Sequence, residues 1–516
     1  MLRRVIWLTI AAVPCFVLAL SAQQGAPKPA VPQMTPSAGI DFADGMMSKG
    51  RYREAIIAYQ RARIASPDAI QRVRAGSGEV KGILRMGGFE SAVDEAAALL
   101  ESVPGNPQAM AVLGDALWAA GRFVEAEITY DKVLTLDPTE PRALHGRGRS
   151  LAAKRQLTAA LADVRAAVTR DPGEEAYLYT LADVLEQMRR YPEAAEALAR
   201  YEAVMPDAKS SNAARWAHAQ AELLRRFGTA TPFDIDGPEQ TFTMPFRVEN
   251  GKVLVKASIN GRPAIDMVVD TGAEHASLTP DVARASRVDA LTVIPTAGIG
   301  EREVGFRDLQ MGRIERLDIG PLHVKNVACF IKAPALTNVP ITETQGFAPL
   351  ALGLSVTIDY ANQVITLARQ LPADSGGLRL PLRMQRLAMV NGSVNSKLAA
   401  FIIDTGGELG LVVSGRVAEG VNADPALRRI PINVYGTAGK DRNAFVLPFV
   451  DIFFGRGVAM PQASVAVLNL DAPSWLLGID IGGIVGHSFL SKYRVTFDLQ
   501  HGELALQSSE TREDRR

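Results

Sequence analysis

The stretch VVDTGAEHAS, residues 268 to 277, runs two β-branched residues into Asp270, Thr271 and Gly272, with the small Ala273 next. A strand that ends by presenting a carboxylate on a glycine-bearing turn is either a surface turn or half of a site that needs a second half. The second half is present. In AFIIDTGGELGLVVS, residues 400 to 414, an apolar pair again leads into Asp404, Thr405 and Gly406, followed by Gly407. The likeness extends outward. A hairpin-like stretch precedes each motif, INGRPAIDMVV and VNSKLAAFII. Each motif is followed later by a Val-Thr-apolar-Asp strand, a turn and an apolar strand, VTIDYANQVITL (356–367) and VTFDLQHGELAL (495–506). Asp270 lies 89 residues before Asp359, and Asp404 lies 94 before Asp498. Two β units of nearly equal length therefore stand in tandem, at 241–370 and 376–508. Their short β-branched runs bounded by Gly, Pro, Asn and Asp are hairpin signals.

Upstream the period changes. Tyr52, Phe89, Phe123, Leu157 and Tyr191 are each followed three residues later by an alanine, Ala55, Ala92, Ala126, Ala160 and Ala194. Prolines recur every 34 residues at 104, 138, 172 and 206, and Pro67 opens the series. In LGDALWAAGRFVEAEITYDKVLTLDP, residues 113 to 138, apolar and small residues fall at i, i+3, i+4 and i+7 on both sides of a break at Gly121. That is the pattern of two helices in a hairpin, with proline stopping the second. Leu113-Gly114, Ala126 with Tyr130, and Pro138 resemble the tetratricopeptide repeat, whose period is 34. Five repeats and a capping helix over SNAARWAHAQAELLRRF (211–227) are expected, in a domain spanning 40–228 and followed by a linker at 229–240. The resemblance implies a concave groove for a protein partner, whose identity the fold does not supply.

Composition narrows the rest. Lys+Arg and Asp+Glu balance at 56 each, so no net charge draws the chain to nucleic acid or anionic membranes. Arg3 and Arg4 before the apolar run Val5 to Leu20, with Ser21 and Ala22 after it, read as a signal peptide over residues 1–22. The run is shorter than the roughly 20 residues of a membrane span. The expectation is an exported protein, periplasmic or secreted, without a membrane span after cleavage; an uncleaved anchor is the alternative. Pro27, Pro29, Pro32 and Pro36 mark a flexible linker at 23–39, and 509–516 is a charged tail. After cleavage Cys329 stands alone, so no intramolecular disulfide is possible. With Ala328 and Phe330 beside it, it reads as a small buried hydrophobe.

The paired motifs resemble those of pepsin-like and retropepsin-like aspartic peptidases, over about half of the chain. The fold implied is multidomain: an all-α tetratricopeptide-repeat solenoid followed by an all-β bilobal aspartic-protease-like domain. In that family two lobes bring two such loops together at a pseudo-twofold axis. Carried over, Asp270 and Asp404 form a catalytic dyad within one chain, a monomeric catalytic unit acting on a polypeptide substrate. Two carboxylates a few ångströms apart share one proton. The ionised one takes a proton from water, and the protonated one polarises the carbonyl and later protonates the leaving amine. Thr271 and Thr405 are implied to bond across the lobes. Gly272 and Gly406 let the backbone turn tightly. Ala273 and Gly407 stand where pepsin-like members carry a hydroxyl, and the missing donor points to a less acidic optimum.

Glu274 and Glu408 follow, and read as solvated turn carboxylates. Gly298 and Gly300 in TAGIGEREVGF, and Gly436 and Gly439 in VYGTAGKDRNAF, are flap candidates that would cover an extended substrate. The family also has an apolar-apolar-Gly segment beneath each loop. Ile484-Val485-Gly486 supplies it in the second lobe. In the first lobe, ungapped alignment sets Phe347 of QGFAPLALGLS opposite Gly486, and a shifted loop using Gly346 or Gly353 is the alternative. No cofactor or metal is expected. The six His residues (145, 218, 275, 323, 487, 501) are scattered, with no His-Glu-x-x-His, Gly-x-Ser-x-Gly or phosphate-loop motif. His275 reads as a polar turn residue. The main functional expectation is an aspartic endopeptidase. The rival is a non-catalytic exported scaffold with a degenerate protease fold, and a third reading makes the β half a self-processing device.

Overall fold

A computed structural model describes residues 34–205, 211–298, 306–333, 345–371, 376–421, 429–436 and 439–508. The signal peptide, the start of the proline-rich linker, Pro206, Gly300 and the charged tail lie outside the described residues.

Five helical hairpins build the N-terminal half. They are α1 (Pro36–Met47) with α2 (Tyr52–Ala65), α3 (Ala69–Arg85) with α4 (Phe89–Ser102), and α5 (Pro107–Ala119) with α6 (Phe123–Leu136). Then come α7 (Pro141–Ala153) with α8 (Leu157–Arg170), and α9 (Glu175–Gln187) with α10 (Tyr191–Val204). A single helix, α11 (Asn212–Arg226), caps the stack. The periodic aromatic or leucine is the first residue of every second helix, and the alanine three residues on is fully buried in all five. Gly114 shows why a small residue is needed: a Cβ there would lie 2.5 Å from the Tyr130 ring. The first hairpin starts earlier than the sequence reading placed it. Thr35 caps the helix through its hydroxyl, and Pro36, read as linker, occupies its first turn, where a missing N–H costs nothing.

Each β lobe is one sheet, and the two share one strand order. In lobe 1 it runs Arg247–Glu249, Lys252–Ile259, Ile265–Val269, Gly346–Phe347, Ala276–Leu278, Leu322–Ile331, Phe306–Ile319, Ala290–Ala297. In lobe 2 it runs Arg383–Gln385, Leu387–Val394, Lys397–Asp404, Ile481–Gly486, Leu411–Ser414, Val458–Leu468, Phe445–Phe454, Ile430–Pro431. A third, six-stranded sheet joins the lobes. At its centre the two Val-Thr-apolar-Asp strands pair antiparallel, Thr357 opposite Thr496, with the hydroxyl oxygens 3.1 Å apart. That pair marks the pseudo-twofold axis.

The stretch read as the second linker is partly structured: Asp234–Ile235 adds a strand beside Lys325 and Val324. The repeat array also packs against the protease-like half. Glu127 of α6 takes the buried Arg383 guanidinium at 2.9–3.0 Å. Asn391 donates to the Gly121 carbonyl at 2.7 Å, and the Asp480 N–H to that of Ala119 at 2.7 Å. Among the described residues no helix is long and apolar enough to cross a membrane.

Candidate active site

Both Asp-Thr-Gly motifs leave the end of a strand sandwiched in its sheet. Ile265–Val269 lies parallel to Gly346–Phe347, and Lys397–Asp404 parallel to Ile481–Gly486. This delivers both aspartates to the axis. The threonines interlock there. The Thr271 hydroxyl donates to the Ile403 carbonyl at 2.8 Å, and the Thr405 hydroxyl to that of Val269 at 2.7 Å. Each hydroxyl also accepts from the other threonine's N–H, at 3.2 and 3.1 Å. Both threonines are almost wholly buried, so this four-bond clasp works without competition from water.

The glycines set the approach. A Cβ on Gly272 would lie 2.5 Å from the Asp404 carboxyl carbon, and one on Gly406 would lie 2.5 Å from that of Asp270. Each motif's glycine thus backs onto the other motif's aspartate. Any side chain at either position would displace a carboxylate. The Gly272 N–H donates to Asp270 Oδ1 at 3.0 Å, while Asp404 Oδ1 accepts from both Gly406, at 2.8 Å, and Gly407, at 3.0 Å.

Electrostatics separates the two acids. Burial, then the charge of Asp270, push Asp404 up to about 7. Burial also raises Asp270, but the Lys332 ammonium opposes it most strongly. The two carboxylates therefore titrate as one coupled pair, with Lys332 favouring the charged form of Asp270. Lys332, just beyond the strand Leu322–Ile331, was not singled out from the sequence. Nothing in CFIKAP signals it, because only the fold brings it to Asp270.

Other expectations are sorted by the same geometry. Phe347 does not stand opposite Gly486. Phe347 pairs with Val269 as Val485 pairs with Ile403, so Ala348 is the counterpart of Gly486. The Phe347 carbonyl accepts from the Asp270 N–H at 2.9 Å and braces the first loop without a glycine there. Gly486 has no such freedom, since a Cβ would lie 1.9 Å from the Leu409 carbonyl oxygen. Gly346 lies beside Ser277, and Gly353 ends a short 3-10 helix in the left-handed conformation.

Glu408 is exposed, with Lys252 3.5 Å away. Glu274 is not the solvated residue it was read as. It is mostly buried and held by Arg386. His275 is pulled down to about 4 by burial and stacks edge-on against Phe330 at 5.3 Å, a neutral packing residue. Cys329 is fully buried, and burial pushes its thiol up to about 12. Gly298 follows the strand Ala290–Ala297, which forms a hairpin with Phe306–Ile319. Gly436 and Gly439 face each other in a small hairpin. Both candidate flaps are therefore β hairpins.

Family models match the repeat array and part of the first β lobe. Residues 255–341 match the family model described as "gag-polyprotein putative aspartyl protease". Residues 83–141 and 145–225 match a tetratricopeptide-repeat model. No curated protein matches the chain. Solved structures similar to it include a thermophilic tetratricopeptide protein of Thermus thermophilus, 18% identical, with TM-score 0.28, covering 34% of this chain and 93% of that one. YrrB, a tetratricopeptide protein with an unusual peptide-binding site, is 20% identical, with TM-score 0.22, covering 37% and 91%. PilF of Pseudomonas aeruginosa is 17% identical, with TM-score 0.27, covering 37% and 80%.

Proposed function

We propose that the protein is an aspartic endopeptidase whose Asp270 and Asp404 activate one water between them. The observation that carries this reading is the reciprocal placement of glycine and aspartate, each motif's Gly backing onto the other's carboxylate at 2.5 Å from an added Cβ. A surface turn has no use for that. In the proposed cycle Asp270, ionised, takes a proton from the water as the oxygen attacks the peptide carbonyl. Asp404 gives its proton to the carbonyl oxygen, so the intermediate is a neutral diol. Collapse returns one hydroxyl proton to Asp404, while Asp270, rather than the initially protonated acid expected from the sequence, passes the proton it took from water to the leaving nitrogen, because Asp404 has already given its own to the carbonyl oxygen. Both acids end as they began, and no cofactor takes part.

The repeat array is proposed to recruit a protein substrate or partner, and the chain to act after export. A cavity of about 850 Å³ on the array, lined by Phe89, Trp118, Tyr179 and Tyr201, has the helix Asp471–Leu477 of lobe 2 in its wall. A polypeptide held there would lie beside the second lobe.

The test is incubation of signal-free protein with a mixed peptide library from pH 3 to 8, with and without Asp270→Asn. Cleavage that vanishes with the substitution supports the reading. Cleavage that survives it, or none by the unaltered chain, points to a scaffold or a contaminant.

A further inference from the structure

We propose that Arg386 is a positioning residue for the first aspartate loop, and that α11 of the repeat array completes the active site by holding it. This rests on the peptidase reading above. Glu274 lies four residues past Asp270 on the same loop. Its Oε2 accepts from Arg386 Nε at 3.1 Å and from Nη2 at 2.6 Å. The other side of the guanidinium is committed to the array: its carbon sits 4.3 Å from the centre of the Trp216 ring on α11, and Tyr179 of α9 packs on that ring at 5.8 Å. The Arg386 side chain is 12% exposed and that of Glu274 23%. Losing either partner would strand a largely desolvated charge.

Arg386 has φ +61° at the tight corner where Gln385 pairs with Leu387, a left-handed conformation that suits glycine, so Arg386→Gly removes the side chain without straining the backbone. Beneath the loop lies a cavity of about 250 Å³ lined by Tyr179, Trp216, Glu274, His275 and Arg386. On that side the ion pair adds a hold on the loop to those of the threonine clasp and the Phe347 carbonyl. The same helix also grips the first flap hairpin. Glu222 accepts from the Thr292 hydroxyl at 3.0 Å, and Arg215 donates to Asp308 at 2.6 Å. One helix of the array therefore contacts both Arg386, which holds the loop bearing Asp270, and the hairpin of Ala290–Ala297 with Phe306–Ile319.

The test compares kcat, KM and melting temperature of the full chain and four variants, Arg386→Gly, Arg386→Lys, Glu274→Gln and the double Arg386→Gly/Glu274→Gln, on one peptide cleaved by the unaltered protein. A misplaced loop costs on the order of 100-fold in rate. Arg386→Gly should therefore lower kcat by about that factor with KM changed far less, and should also lower melting because Glu274 is left unpaired, whereas the double variant, which removes that charge, should regain melting without regaining kcat. Glu274→Gln should move kcat in the same direction, Arg386→Lys should recover part of the loss, and the double variant should be no worse than Arg386→Gly. Unchanged kcat in Arg386→Gly or Glu274→Gln, or losses that multiply in the double variant, would overturn the inference. So would a kcat that recovers together with the melting temperature in the double variant. Absence of Asp270-dependent cleavage by the unaltered chain would instead overturn the peptidase reading, and this inference with it.

Discussion

At the scale of single residues, the proposed mechanism depends on making two chemically identical carboxylates unequal. Lys332 is the side chain that most favours charge on Asp270. Replacing it in Lys332→Met removes that stabilisation, so Asp270 ionises at higher pH. The acid limb of the kcat/KM profile should then move up while the basic limb, set near 7 by Asp404, moves less. Peptide cleavage rates from pH 3 to 9 check this. Asp404 also leaves a mark on stability. Its folded value lies above the roughly 3.9 of an unperturbed aspartate, so the native state keeps a proton that the unfolded chain releases. Native stability therefore falls as pH climbs from about 4 to about 7. Asp404→Asn cannot ionise, so it should be more stable than the parent by a few kcal/mol at pH 8, with the gain vanishing towards pH 4. Urea denaturation at several pH values measures it. The aspartates, threonines and glycines were legible in the sequence because the motif lies in one short run and occurs twice. Lys332 and Arg386 were not, because each acts on a residue distant in sequence.

At the scale of elements, periodicity carried most of the information. The 34-residue spacing placed five hairpins, and the paired strands placed two lobes, because helix and strand patterns record which face is buried. The brace beneath the first loop was misaligned by one residue. An ungapped comparison assumes equal loop lengths, whereas sheet register puts Ala348 in the place of Gly486. The two lobes therefore tolerate substitution differently. Gly486→Ala forces a methyl into the Leu409 carbonyl and should destabilise by at least about 1–3 kcal/mol, the usual range for overpacking. Ala348→Gly should cost only about 0.5–1 kcal/mol, the backbone entropy of glycine. Denaturant midpoints of the two variants, compared at constant slope, decide it.

At the scale of the whole molecule, the sequence implied an array and a protease-like body joined by a linker. The structure packs them together through Arg383 and Glu127, Asn391 and Gly121, and Arg386 and Trp216. Linear sequence reveals periodic faces within a unit, but not the polar contacts by which two units meet. A single chain supplies both Asp-Thr-Gly motifs, across an axis where Thr357 meets Thr496, and the proposed dyad is built from the two. The direct test is complementation. Asp270→Asn and Asp404→Asn chains are assayed for peptide cleavage separately and as an equimolar mixture. Each alone should lose at least about 1,000-fold in kcat/KM, as for residues acting as a unit, and the mixture should stay as inactive as its parts. Cleavage by either variant near the parent rate, or recovery of activity on mixing, would contradict a dyad built within one chain.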